Sequence, residues 1–106
     1  MEVELDAFSG RQNPEWTLTP EVAASVNAAL SSALPEAPAL PIPGHLGYRG
    51  FIIRSAGREV RVYRGRIVVT DRGNTQTFFD SAHIEALLAA EARRRGFAEV
   101  VQNVDP

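Results

Sequence analysis

The sequence contains no cysteine and no lysine. The first absence excludes disulfides, thiolate nucleophiles and Cys-ligated metals. The second excludes a Lys Schiff base and the lysine of a nucleotide P-loop. Long apolar runs are also missing, since nothing approaches the ~20 residues that a membrane-spanning helix requires. The first six residues, Met1-Glu2-Val3-Glu4-Leu5-Asp6, are acidic where a signal peptide would be basic and then apolar. Together these features lead us to expect a cytoplasmic protein with no membrane association.

What remains is 106 residues in which all 11 basic side chains are arginine. Arginine without lysine, beside abundant alanine, is foremost the imprint of a GC-rich genome. The length supports a single globular domain, residues 1–106, burying roughly two-thirds of its unfolded surface. Apolar residues at 44% and charged residues at 23% are ordinary globular values. Charge is unevenly spread. Residues 1–36 set six acids against Arg11, whereas residues 37–72 set seven arginines against Glu59 and Asp71. Such asymmetry marks either an acidic or nucleic-acid partner, or an acidic strand lying beside basic ones in one sheet.

Residues 2–8 alternate, with Val3, Leu5 and Ala7 on one face and Glu2, Glu4 and Asp6 on the other, as a half-buried strand does. Ser9 to Pro14 breaks it as a turn. A first helix begins near Thr19, a suitable N-cap before Pro20, and ends by Leu34 because Pro35 follows. Residues 35–47 are a Pro/Gly-rich connection within the domain, with four prolines in nine residues. Residues 48–79 read as a β-meander. An unbroken strand over 59–70 would run about 40 Å, so a turn at Arg64-Gly65 is favoured over a glycine bulge. Asp80 is expected to N-cap a second helix, which Arg93, Arg94, Arg95 and Gly96 close.

The order is strand–helix–meander–helix. Each helix has one apolar stripe, so both need the same sheet face. The expected fold class is therefore α+β: two layers, a mostly antiparallel sheet of four to five strands, and two helices on one face.

The densest group of chemically capable side chains is Phe8-Ser9-Gly10-Arg11-Gln12-Asn13-Pro14-Glu15-Trp16. It resembles the Ser-Gly-Arg-Pro-Asn-Pro-x-Trp segment near the N-terminus of a group of small, mainly bacterial proteins of uncharacterised function. Ser9, Gly10, Arg11, Asn13, Pro14 and Trp16 match, and Gln12 stands where proline is expected. The resemblance implies no activity. Physically, Arg11 can clamp a carboxylate or phosphate, Asn13 can read an amide, and Trp16 can stack on a ligand. The structural alternative has Asn13-Pro14 shaping the turn, Trp16 plugging the core edge and Arg11 capping carbonyls. For Trp16 and Asn13 that alternative is the commoner outcome; Arg11 is evenly balanced.

A second candidate is Pro43-Gly44-His45-Leu46-Gly47-Tyr48-Arg49-Gly50, where His45, Tyr48 and Arg49 join the ligand-binding candidates. His45 has the near-neutral reference pKa of a general base, although a lone loop histidine is more often inert. His83, near the start of the second helix, can cap or hydrogen-bond Asp80. Two histidines and no recognisable zinc spacing argue against a metal site. No serine stands in a nucleophile elbow. No cofactor is expected.

Three function classes follow. The leading one is a small non-enzymatic binding module that recognises a peptide or protein partner through the Ser9–Trp16 turn and a sheet edge. The second is single-stranded nucleic-acid binding by the arginine-rich meander with Tyr48, Phe51 and Tyr63. A sequence pI of about 5.6 and the lack of an RNP-like motif disfavour it. The third is a small enzyme acting on an anionic substrate with Arg11 and a histidine, for which no converging groups are visible. The size of the domain and its sheet edges also admit a homodimer.

Overall fold

The computed structural model describes residues 1–8, 10–32 and 47–104. It is an α+β fold, one open antiparallel sheet of six strands with two helices. In chain order these are β1 (Glu2–Leu5), β2 (Glu15–Thr17), α1 (Pro20–Ser32), β3 (Phe51–Ser55), β4 (Arg58–Tyr63), β5 (Arg66–Asp71), β6 (Asn74–Phe79) and α2 (Ile84–Arg94). Across the sheet they run β2-β1-β3-β4-β5-β6, every neighbouring pair antiparallel.

Three expectations need correction. The sheet has six strands rather than four to five, and the order opens strand–strand–helix. The extra strand is β2, only three residues long and too short for period-2 alternation to register. The second helix also starts later than expected, at Ile84. Asp80 still satisfies its first turn from a distance, its carboxylate accepting the Ile84 N–H at 2.7 Å and the Glu85 N–H at 2.9 Å. His83 precedes the helix in the left-handed region at φ +57°.

The remaining local signals translate directly. Thr19 Oγ1 accepts the Val22 N–H ahead of Pro20. The α2 C-terminus closes through Gly96 at φ +96°, with Phe97 N–H on the Ala92 carbonyl and Gly96 N–H on that of Arg93. These paired bonds are a Schellman closure, and only glycine adopts the required conformation without strain. Three two-residue turns, Ala56-Gly57, Arg64-Gly65 and Arg72-Gly73, join β3 to β6, all with positive φ at both positions. That is the type I′ geometry whose twist matches paired strands, so residues 59–70 form a hairpin.

One face of the sheet carries Trp16, Val3, Leu5, Ile53, Phe51, Val60, Val62 and Ile67. With Val26, Ala29, Ile84, Leu88 and Ala92 of the helices they form a single buried cluster. The other face holds Glu2 and Glu4 of β1, Arg54 of β3 and Arg61 of β4. The helix end at Leu34, the connection over 35–46, His45 and Ser9 lie outside the described residues. No helix of the described residues is long and apolar enough to cross a membrane.

Candidate functional site

The turn after β1 is held by Asn13. Its side-chain oxygen accepts the Ala7 and Phe8 N–H groups at 3.2 and 2.9 Å, and its nitrogen donates to Glu4 at 2.7 Å and Asp6 at 3.3 Å. An amide with every donor and acceptor engaged has nothing left to read a ligand. Trp16 is only 7% exposed, sits opposite Val3, and donates its indole N–H to the buried Glu91 of α2 at 2.8 Å. It anchors the short β2 edge to the C-terminal half of α2. Arg95 lies over its ring at 5.0 Å. Arg11 is exposed, its guanidinium 3.9 Å from the Phe8 ring centre. Of the three candidates here, only Arg11 has no hydrogen-bond partner among the described residues.

Arg49 and Tyr48 are likewise engaged. Asp6 accepts Arg49 Nη2 and Arg61 Nη1, both at 2.8 Å, while its main chain pairs with Gly50 and Arg49. Arg54 reaches Glu4 at 2.8 Å, and that hydrogen bond pushes its pKa above the ordinary arginine value. These pairs tie β1 and the residue after it to β3, to the chain entering β3 and to β4 on the open face. Gly50, at φ +96°, lets the chain pass against β4. A Cβ there would collide with the Val62 carbonyl oxygen and lie 2.8 Å from Tyr63 Cβ.

Tyr48 donates to Glu85 at 2.6 Å, and Glu85 also accepts the Arg64 and Gly65 N–H groups, each at 3.2 Å. One carboxylate on the first turn of α2 thus pins both the β4–β5 turn and the chain entering β3. Burial, and then the charge of Glu85, push the Tyr48 phenol far above its ordinary pKa. Sequence reasoning missed Glu85, because its three donors come from residues 20 or more positions away. Beside it lies a cavity of about 460 Å³ lined by Tyr48, Tyr63, Arg64, Asp80, His83 and Glu85, among others. His83 lines this cavity and Arg11 is not among its lining residues, and Asp80 and Glu85 already hold backbone N–H groups. Among the described residues no group of three or more His, Cys, Asp or Glu is placed to hold a metal ion.

The two sheet edges differ in kind. β2 offers three residues. β6, Asn-Thr-Gln-Thr-Phe-Phe, offers six, with no charge, no proline and an unbroken register against β5. Sheet proteins ordinarily guard such an edge with charge, proline or a bulge. The type I′ turn fixes which groups face outward. Its closing pair, Asp71 and Asn74, exchanges both hydrogen bonds, so alternate residues from Asn74 bond to β5. The Asp80 N–H bond to the Gly65 carbonyl at 2.9 Å continues that alternation. The main-chain groups of Thr75, Thr77 and Phe79 consequently point away from the sheet, and among the described residues none has a partner. Phe79 is 36% exposed and stacks beneath Arg66 at 4.7 Å. On the helix side of the same edge lies a groove of about 410 Å³, with half-buried Leu30, Val69 and Phe78 as an apolar shelf and Arg58, Asp71, Arg72, Asn74 and Gln76 as its polar lining.

No protein-family model, curated protein or solved structure matches the chain.

Proposed function

We propose that this chain is a non-enzymatic binding module that takes a segment of a protein or peptide partner as an added strand along β6. The observation that carries the reading is the outward-facing, uncharged main chain of Thr75, Thr77 and Phe79, without a partner among the described residues. Strand addition supplies affinity through main-chain hydrogen bonds, while alternate side chains meet flanking pockets. Here the helix-side positions would meet the Leu30–Val69–Phe78 shelf, and the open-face positions the Thr75–Thr77–Phe79 row. The Ser9–Trp16 turn contributes less than its composition suggests, because Asn13 and Trp16 are engaged within the fold and only Arg11 has no hydrogen-bond partner among the described residues.

The nucleic-acid reading loses ground on two observations. Arg49, Arg54 and Arg61 are paired with carboxylates, and Phe51 is buried rather than displayed on a stacking platform. The enzyme reading is not supported by the cavity at His83, whose lining does not include Arg11.

A randomised heptapeptide library, selected on the purified protein, tests the proposal. Selected peptides should shift the amide resonances of Thr75, Thr77 and Phe79, and Thr77→Pro should abolish binding while leaving the fold intact. Proline is tolerated there because the lost N–H faces outward. Selected peptides that shift the residues around Arg11 and leave β6 untouched would place the site elsewhere.

A further inference from the structure

Resting on that reading, we infer that the partner strand at β6 is β6 of a second copy of this chain, forming a symmetric dimer with one continuous sheet of twelve strands. Three features of the edge carry this.

The first is self-complementarity. The outward residues are the odd-numbered ones, so an antiparallel, hydrogen-bonded pairing of β6 with itself must set odd against odd. The register centred on Thr77 pairs Thr77 with Thr77 of the second copy and Thr75 with Phe79. Both are favourable cross-strand combinations, threonine with threonine and aromatic with β-branched. No charge within the strand meets a like charge, because β6 contains none. A charged peptide would find no complementary charge within the strand.

The second feature is the apolar shelf. Antiparallel edge pairing relates the copies by a two-fold axis normal to the sheet, so both helical layers lie on one side. The half-buried Leu30, Val69 and Phe78 of each copy then flank the seam, with Arg58, Asp71 and Arg72 of opposite signs lining the same groove. Among the described residues, nothing of a single copy covers this corner of its helix-side face.

The third is Phe79, the most exposed large hydrophobic side chain among the described residues. In this register it gains a threonine neighbour across the seam. Six residues of strand and one shelf per copy make a small interface beside the ~1,200 Å² of stable complexes. The dimer therefore belongs to the concentration-dependent class.

The cysteine-free sequence makes a direct test available. Thr77→Cys places two thiols opposite one another across the axis at a Cα separation of about 5.5 Å, within disulfide reach. Thr75→Cys leaves its two thiols about 13 Å apart along the strands. Under mild oxidation Thr77→Cys should form a covalent dimer many-fold faster than Thr75→Cys. Light scattering of the wild-type chain should show mass rising with concentration toward twice the monomer, and Thr77→Pro should remain monomeric. Thermal melts check that each variant is folded. Equal cross-linking of the two cysteine variants, or a wild-type monomer at every concentration, overturns the dimer. If that monomer still binds library peptides at Thr75, Thr77 and Phe79, strand addition survives and only the identity of the partner falls. A dimer that persists in Thr77→Pro uses another surface and removes the support for both.

Discussion

Raising the pH above about 10 should destabilise this protein through the Tyr48 phenol. Tyr48 is half-buried and donates its hydroxyl hydrogen to Glu85, so the folded state holds that proton well beyond the ordinary tyrosine value. The unfolded chain releases it near pH ~10. Below that pH both states keep the proton and stability is unaffected. Above it the folded state binds one more proton than the unfolded state, and stability falls as pH rises. The limiting slope is about 1.4 kcal/mol per pH unit, so roughly 2 kcal/mol is lost by pH ~11.5. Solvent reaching the partly exposed ring makes that an upper bound. The usual obstacle to such a measurement is lysine, which titrates in the same window, and this chain has none. Tyr48→Phe should cost about 1.5 kcal/mol at neutral pH, by removing a hydrogen bond to a charged acceptor. It should also flatten the alkaline limb. Urea midpoints of the two proteins, taken between pH ~8 and ~11.5, should therefore converge as pH rises. Parallel curves, with Tyr48→Phe losing stability as steeply as the wild type, would refute the placement of Tyr48 against Glu85.

Gly50→Ala should destabilise by about 2–5 kcal/mol, from backbone strain at φ +96° added to the collision with β4. A urea midpoint within about 1 kcal/mol of wild type would show that β3 does not pass β4 this closely. Asn13→Ala removes four hydrogen bonds from a half-buried turn and should cost about 2 kcal/mol by thermal melt. A neutral result there would mean that the turn is not held by this side chain. Arg11→Ala should shift stability by less than about 1 kcal/mol, since an exposed cation over Phe8 is all that is lost. It should also leave peptide capture at β6 unchanged. Loss of capture measured by fluorescence anisotropy would return the turn to the site.

Much of the fold is legible residue by residue because its signals are local. Alternation in Val3–Leu5, the Thr19-Pro20 start, the X-Gly turns and the arginine–glycine helix end each concern a handful of adjacent positions. Their physics is backbone geometry, which the sequence states directly. β2 escapes because three residues carry no period, and its strand character comes from pairing with β1 and from Trp16 reaching Glu91. The candidate site fares differently for the same reason. Asn13, Trp16, Tyr48 and Arg49 are capable groups, but their partners Glu4, Glu91, Glu85 and Asp6 are brought to them by the topology. Composition identifies a group that can bind. It does not say whether the fold has already used it. The β6 edge is the reverse case, a strand conspicuous only once its outer neighbour is seen to be missing among the described residues.

The position of β1 between β2 and β3 also governs how the chain assembles. The four strands β3 to β6 meet through turns of two residues, whereas β1 must find β3 across 45 intervening residues, from Asp6 to Gly50. Closing a loop of that length costs about 3 kcal/mol in chain entropy before any contact rewards it. The meander is therefore expected to form first, with β1 and β2 zipping onto its β3 side last. Native-state hydrogen exchange should find amides of β4 and β5 opening only with global unfolding, and those of β1 opening at lower free energy. The ion pairs from Arg49, Arg54 and Arg61 to the first strand and the residue after it then act as the clasp of the final step. Slower exchange in β1 than in β4 would reverse that order of assembly.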